Sequence, residues 1–239
     1  MNLPELTLPQ MLRERARQDA QRVAIRQKDF GIWKPFTWAQ YYERSCHFGL
    51  GLLALGLPVG GHVGVIAENR IEWVLAQMGA GLVGAVTVGV WRRRTANEVG
   101  YVGGDVEMEI MVCEDEEQGE LIATFDEVER LGAGIHSQAR IDEVLAQQTL
   151  DDIGLMIYTS GSTGKPKGAM ISWRNMRGVA PGIIERLQLG RDTSHLSYLP
   201  LCHVAEQMLT TFCPLYLGST VNFGESIRTV QEDLREVAP

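Results

Sequence analysis

Trp73 to Trp91 is a run of nineteen residues without a charged side chain, closed by Arg92, Arg93 and Arg94. Such a run has two structural outcomes. Its length, lack of charge and basic flank suit a membrane-spanning helix, and Gly81/Ala85 and Ala85/Gly89 have the small-residue spacing of helix pairs in lipid. Against that, Gly79, Gly81 and Gly84 punctuate the run, and Val86 to Val90 (VTVGV) is β-branched. We read a buried helix, a turn and a buried strand, with the membrane span as the alternative.

The rest of the chain repeats this alternation. Strand-like runs at 23–27, 32–36, 62–67, 109–113, 153–158, 169–172, 195–199 and 220–223 are interleaved with helix-length patterns at 8–20, 37–55, 71–82, 124–131, 139–147, 175–187 and 204–216. Thr37/Gln40 and Thr95/Glu98 have capping-box spacing, and so do Thr229/Glu232 ahead of a final helix. Asn69 is placed to cap the helix from 71. The acidic run Glu114 to Glu117 reads as a solvated helix start. The pattern predicts an α/β fold of mainly parallel sheets flanked by helices, with ligand loops at the strand carboxyl ends.

The net charge of −8 argues against a nucleic-acid binder. The four cysteines show no framework spacing, which favours a reducing compartment and free thiols. The N-terminus lacks the apolar core of a signal peptide. Together these predict a cytoplasmic chain, with peripheral membrane association left open by the arginine run. Nothing in the sequence bears on oligomeric state.

One stretch carries chemistry. Residues 158 to 168 read YTSGSTGKPKG, directly after the apolar run Ile153 to Tyr158. Glycines let backbone amides approach an anion closely, and successive loop amides form a concave anion site. Thr159, Ser160, Ser162 and Thr163 add hydroxyl donors, and Lys165 and Lys167 add positive charge. The loop suits a polyphosphate. It is not the common P-loop, because two residues separate Gly161 from Gly164 and Pro166 follows Lys165. A nucleophile elbow is also excluded, since Ser160 stands where the first glycine would be. A flexible Ser/Gly linker is disfavoured by the apolar runs on both sides.

YTSGSTGKPKGAMISWRN resembles the phosphate-binding signature of the adenylate-forming superfamily, which includes acyl-CoA synthetases. SYLPLCHVAEQML at 197–209 and VNFGESIRTVQEDLREVAP at 221–239 resemble the long-chain fatty-acid–CoA ligases within it. The resemblance implies that residues 1–239 are the N-terminal part of an AMP-binding (adenylation) domain. It implies ATP-dependent conversion of a fatty acid to an acyl-adenylate, then thioester formation with coenzyme A. ATP, Mg2+, the fatty acid and coenzyme A are the expected small molecules. The magnesium-binding glutamate, the adenine and ribose motifs and a lysine-bearing lid domain are expected beyond Pro239, so that the chain alone is inactive. The alternative is a catalytically inactive nucleotide-binding or interaction module of the same fold. The residues implied in phosphate binding are Thr159, Ser160, Gly161, Ser162, Thr163, Gly164, Lys165 and Lys167, with either lysine able to hold the phosphates. Gly168 is assigned to the backbone turn.

His203 is implied in substrate positioning or closure of the acyl site, with a half-buried helix-cap histidine as the alternative. Trp173 replaces the usual histidine of the S-H-R-N pattern and is expected to pack. Glu206 is read as a helix-surface or capping residue, and His47, His62, His136 and His195 as structural. No metal site is expected, because Cys202, His203 and Cys213 lack paired spacing. The segment 119–124 is shorter than in the family.

Overall fold

The helices of the computed structural model open on a recurring reciprocal cap. Thr7 with Gln10, Thr37 with Gln40, Thr95 with Glu98 and Ser172 with Asn175 each exchange hydroxyl and side-chain acceptors with the opposing backbone amide. Thr124 and Glu127 make the same exchange. Each box satisfies donors that a helix start leaves orphaned. Thr37→Ala is expected to lower the unfolding free energy by about 1 kcal/mol, read from a urea transition.

The structure describes residues 5–92, 95–114, 123–135, 137–159 and 166–237. In order they form α1 (Leu8–Gln18), β1 (Val23–Asp29), β2 (Ile32–Thr37), α2 (Trp38–Ala54), β3 (His62–Ile66), α3 (Ile71–Leu82), β4 (Val86–Gly89), α4 (Ala96–Asp105), β5 (Ile110–Cys113), α5 (Phe125–Ile135), α6 (Gln138–Gln147), β6 (Ile153–Thr159), β7 (Lys167–Ser172), α7 (Trp173–Leu187), β8 (Ser194–Ser197), α8 (Val204–Glu206), α9 (Cys213–Leu217), β9 (Thr220–Phe223) and α10 (Val230–Val237). A π-helical stretch, Gln207–Phe212, joins α8 to α9. Pro214 follows it and lacks the amide that would close an α-helical bond to Thr210.

Two sheets result. One has the order β5-β3-β4-β6-β7, the other β2-β1-β9-β8. All pairings are parallel except the hairpins β1/β2 and β6/β7. The expected α/β class with mainly parallel sheets is present.

The charge-free run resolves into α3, a turn at Gly84 (φ +78°) and β4. Every residue of α3 except Glu72 is buried. A helix apolar on all sides belongs inside a protein core or a membrane, and this one is enclosed by protein. Its first amide, on Ile71, donates to Gln27 Oε1 of β1 at 3.1 Å, and Gln77 Nε2 donates to Gln207 Oε1 at 2.8 Å. Among the described residues, no helix is long and apolar enough to cross a membrane.

Close helix approach explains several glycines. A Cβ on Gly51 would lie 2.1 Å from the Val128 carbonyl oxygen, and one on Gly132 would lie 1.7 Å from that of His47. The α2/α5 crossing therefore requires bare backbone on both helices.

Two local expectations are corrected. The N-cap of α3 is Arg70, without a side-chain cap bond, and Asn69 turns elsewhere. Glu114 follows β5 directly. It accepts from the Glu68 amide and pairs with Arg70 at 3.3 Å and Arg92 at 3.5 Å. Asp115 to Glu117 lie outside the described residues, as do Arg93, Arg94, His136 and most of the short 119–124 segment. The Thr229 hydroxyl donates to Asp233 Oδ2 at 2.7 Å, in place of the expected bond with the Glu232 amide.

Candidate active site

β6 runs inside its sheet between β4 and β7, and its apolar residues Leu155 and Ile157 are buried. It ends at Thr159, which pairs with Lys167 at the start of β7. The hydroxyl- and glycine-rich stretch thus connects the two strands of an antiparallel hairpin. Ser160, Gly161, Ser162, Thr163, Gly164 and Lys165 lie outside the described residues. Thr159 and Lys167 are both exposed, and among the described residues Lys167 makes no ion pair.

Two contacts set the hairpin's position. Trp173, 2% exposed, lays its ring across Gly154, where a Cβ would fall 2.0 Å from the ring. The expected packing role of Trp173 is what the structure contains. Nearer the loop, Tyr158 faces Gly168, and a Cβ there would come within 3.0 Å of the Tyr158 ring. Gly168 therefore lies within β7 and makes room for an aromatic ring, which corrects its assignment to the turn.

The Tyr158 hydroxyl donates to Asp105 Oδ2 at 2.5 Å, tying the hairpin to the end of α4. Burial, then the bond to Asp105, raises the Tyr158 pKa above its usual value. Tyr158→Phe is expected to lower the unfolding free energy by about 1 kcal/mol, measured by thermal or urea unfolding.

A second segment reaches the same strand ends. Gly89, the last residue of β4, pairs with Ile157 of β6. A Cβ on Gly89 would lie 3.1 Å from Cys202 Cα. The turn 198–203 therefore passes over the strand next to the hairpin. His203 follows as the N-cap of α8, exposed, with Nδ1 accepting from the Ala205 amide at 3.2 Å. That bond matches the helix-cap alternative and leaves Nε2 for other partners.

Asn69, just after β3, holds this turn. Its Nδ2 donates to Ser197 Oγ at 2.9 Å and to the Leu199 carbonyl at 2.5 Å, and its Oδ1 accepts from the Leu201 amide at 3.2 Å.

Glu206 is the residue the sequence reading missed. It is fully buried, not on a helix surface. Its Oε1 accepts from Ser197 Oγ and Thr210 Oγ1, each at 2.6 Å, and lies 3.5 Å from His195 Nε2. Burial pushes the carboxyl upward, but the nearby His195 ring and the bonds from Ser197 and Thr210 outweigh it and hold it below its usual value. Its ionisation thus stabilises the fold above the unfolded pKa of about 4.3, and that contribution fades as pH falls through the lower folded value. A signal was available: Glu206, Gln207, Thr210 and Thr211 share the inner face of a helix whose other members are apolar.

Among the described residues, no three His, Cys, Asp or Glu side chains gather as metal ligands. Burial pushes the Cys213 thiol up to about 11.

Residues 12–238 match the family model described as AMP-binding enzyme, and the chain belongs to that family, within the adenylate-forming superfamily. Over 98% of its length it is 27% identical to the long-chain-fatty-acid–CoA ligase ACSBG2 of Rattus norvegicus, and over 100% it is 29% identical to that of Xenopus laevis. It spans 40% and 37% of those two relatives. The fold is also that of a fatty acyl-adenylate ligase from L. pneumophila in complex with acyl adenylate and pyrophosphate, with TM-score 0.78, 18% identity and coverage of 96% of this chain and 41% of that one. O-succinylbenzoate coenzyme A synthetase from Bacillus subtilis, in complex with ATP and magnesium, aligns with TM-score 0.74 and 21% identity over 95% of this chain and 60% of that one.

Proposed function

We propose that this chain is the N-terminal part of an adenylation domain, and that the protein containing it activates a fatty acid with ATP and transfers the acyl group to coenzyme A. The carboxylate oxygen attacks the α-phosphorus, pyrophosphate leaves, and the coenzyme A thiolate then displaces AMP from the acyl-adenylate. The chain's share is to grip the departing pyrophosphate with preorganised donors. Thr159, Ser160, Gly161, Ser162, Thr163, Gly164, Lys165 and Lys167 are the residues we assign to it, and His203 is assigned to positioning the acid.

The observation that carries this reading is the exposed Lys167, which makes no ion pair among the described residues and faces Thr159 at the base of the β6–β7 hairpin. A cationic strand end with no carboxylate partner among the described residues fits a polyphosphate. Mg2+ would neutralise phosphate charge there, and the described residues provide no cluster to hold it independently. The named relatives, long-chain-fatty-acid–CoA ligases, support the choice of acid.

The test is fatty-acid-dependent ATP–pyrophosphate exchange by the full-length protein, followed by acyl-CoA formation on adding coenzyme A. Exchange that requires the acid is expected. Nucleotide binding without exchange would replace the ligase reading with that of an inactive binding module.

A further inference from the structure

We propose that Glu206 is a positioning residue that locks the turn carrying His203. The inference rests on the functional reading above for what His203 does, but not for how the turn is held.

A fully buried carboxylate is expensive to desolvate, and an apolar residue of similar volume often serves stability as well or better. Its presence here coincides with an ordered chain of donors. An ionised carboxylate can only accept. Ser197 and Thr210 must therefore both point their hydroxyl protons at Oε1. With its proton so committed, Ser197 Oγ accepts from Asn69 Nδ2. That choice fixes the amide orientation of Asn69, leaving Oδ1 to meet the Leu201 amide and Nδ2 to reach the Leu199 carbonyl.

Gln207, the next residue along, closes the arrangement. Its Nε2 donates to the Leu201 carbonyl at 2.6 Å, and its Oε1 accepts from Gln77. The His203 amide donates to the Pro200 carbonyl at 2.8 Å. The backbone of the turn is thus held by side chains from two directions: Asn69, just after β3, and Gln207 in the helix that follows. The turn follows β8 of one sheet and passes over Gly89 at the end of β4 in the other. One carboxylate sets the direction of the bonds that run from Ser197 through Asn69 to the turn.

The experiment uses the full-length protein with Glu206→Ala, Glu206→Gln, His203→Ala and the Glu206→Ala/His203→Ala double variant. Glutamine keeps an acceptor for both hydroxyls, whereas alanine keeps none. Glu206→Ala is expected to lower kcat/KM for the acid in pyrophosphate exchange by about tenfold to 10²-fold, as a small misplacement of a positioned group does. KM for ATP is expected to stay within about twofold, and Glu206→Gln to recover most of the loss, because displacement of the turn is felt at the acid and not at the phosphates. In the His203→Ala background, removing Glu206 is expected to have no further effect, since coupled residues are non-additive. Equal losses in both backgrounds would overturn the proposal. Amide hydrogen exchange across 197–203 gives a readout free of catalysis: faster exchange in Glu206→Ala and near-normal exchange in Glu206→Gln are expected, and unchanged exchange in Glu206→Ala would also overturn it. If the wild-type protein shows no acid-dependent exchange, the functional reading fails, while the amide measurement still decides the role of Glu206.

Discussion

Lys167→Ala in the full-length protein is expected to lower kcat/KM for ATP in pyrophosphate exchange by about 10²-fold, the loss typical of removing one preorganised donor from developing negative charge. Fold stability should not explain the loss. Lys167 is exposed and among the described residues makes no ion pair, so the unfolding midpoint is expected to remain unchanged. Its strand position is held by the pairing of β7 with β6, which does not involve the ammonium. KM for the acid is expected to stay at the wild-type value. Lys167→Arg keeps the charge but spreads it over a planar fork, and only partial recovery is expected. Activity of Lys167→Ala within about threefold of wild type would remove Lys167 from the phosphate site, since a donor to the transition state is worth far more than that.

The second large effect lies behind the hairpin. Gly154→Ala is expected to destabilise the fold by about 1–3 kcal/mol, because the new methyl falls inside the ring of a buried tryptophan and overpacking forces backbone or rotamer shifts. The geometry is severe: three ring carbons of Trp173 lie 2.0, 2.1 and 2.3 Å from the Cβ position. Relief is expected from shrinking the partner. Trp173→Leu alone opens a cavity and destabilises, but Gly154→Ala should be close to neutral when added to it. A urea-denaturation double-mutant cycle measures this coupling. Additive losses would mean that Gly154 is required for backbone reasons unrelated to the indole.

Those two residues also mark how far the sequence could be read. The alternation of β-branched runs with helix-length patterns was sufficient for the α/β class, because period and capping are local properties. Thr37/Gln40 and Thr95/Glu98 occupy the caps their spacing implies. The packing role of Trp173 followed from the chemistry of an indole. What escaped was non-local. The division into two sheets depends on pairing Ile25 with Val221, which no short-range pattern announces. Asn69 looked like a cap because caps favour that residue type, yet its amide is used by a turn some 130 positions away. Glu206 looked solvent-facing because most glutamates are. Its burial depends on two hydroxyls and a histidine whose proximity only the tertiary fold creates. In the β6–β7 hairpin, the two ends were legible as strands, whereas the ring of Tyr158 over Gly168 was visible only once the register was known.

The strand pairing of β1 with β9 bears on the chain's birth at the ribosome. Strands 3 to 7 all lie between His62 and Ser172 and can assemble from consecutive segments. The N-terminal β-hairpin emerges before any of them, but its parallel neighbour is synthesised nearly two hundred residues later. At ~5–20 residues per second, the delay is about 10–40 s. Throughout that interval the β9-facing edge of β1 stays unpaired and offers its backbone donors and acceptors to every other nascent chain nearby.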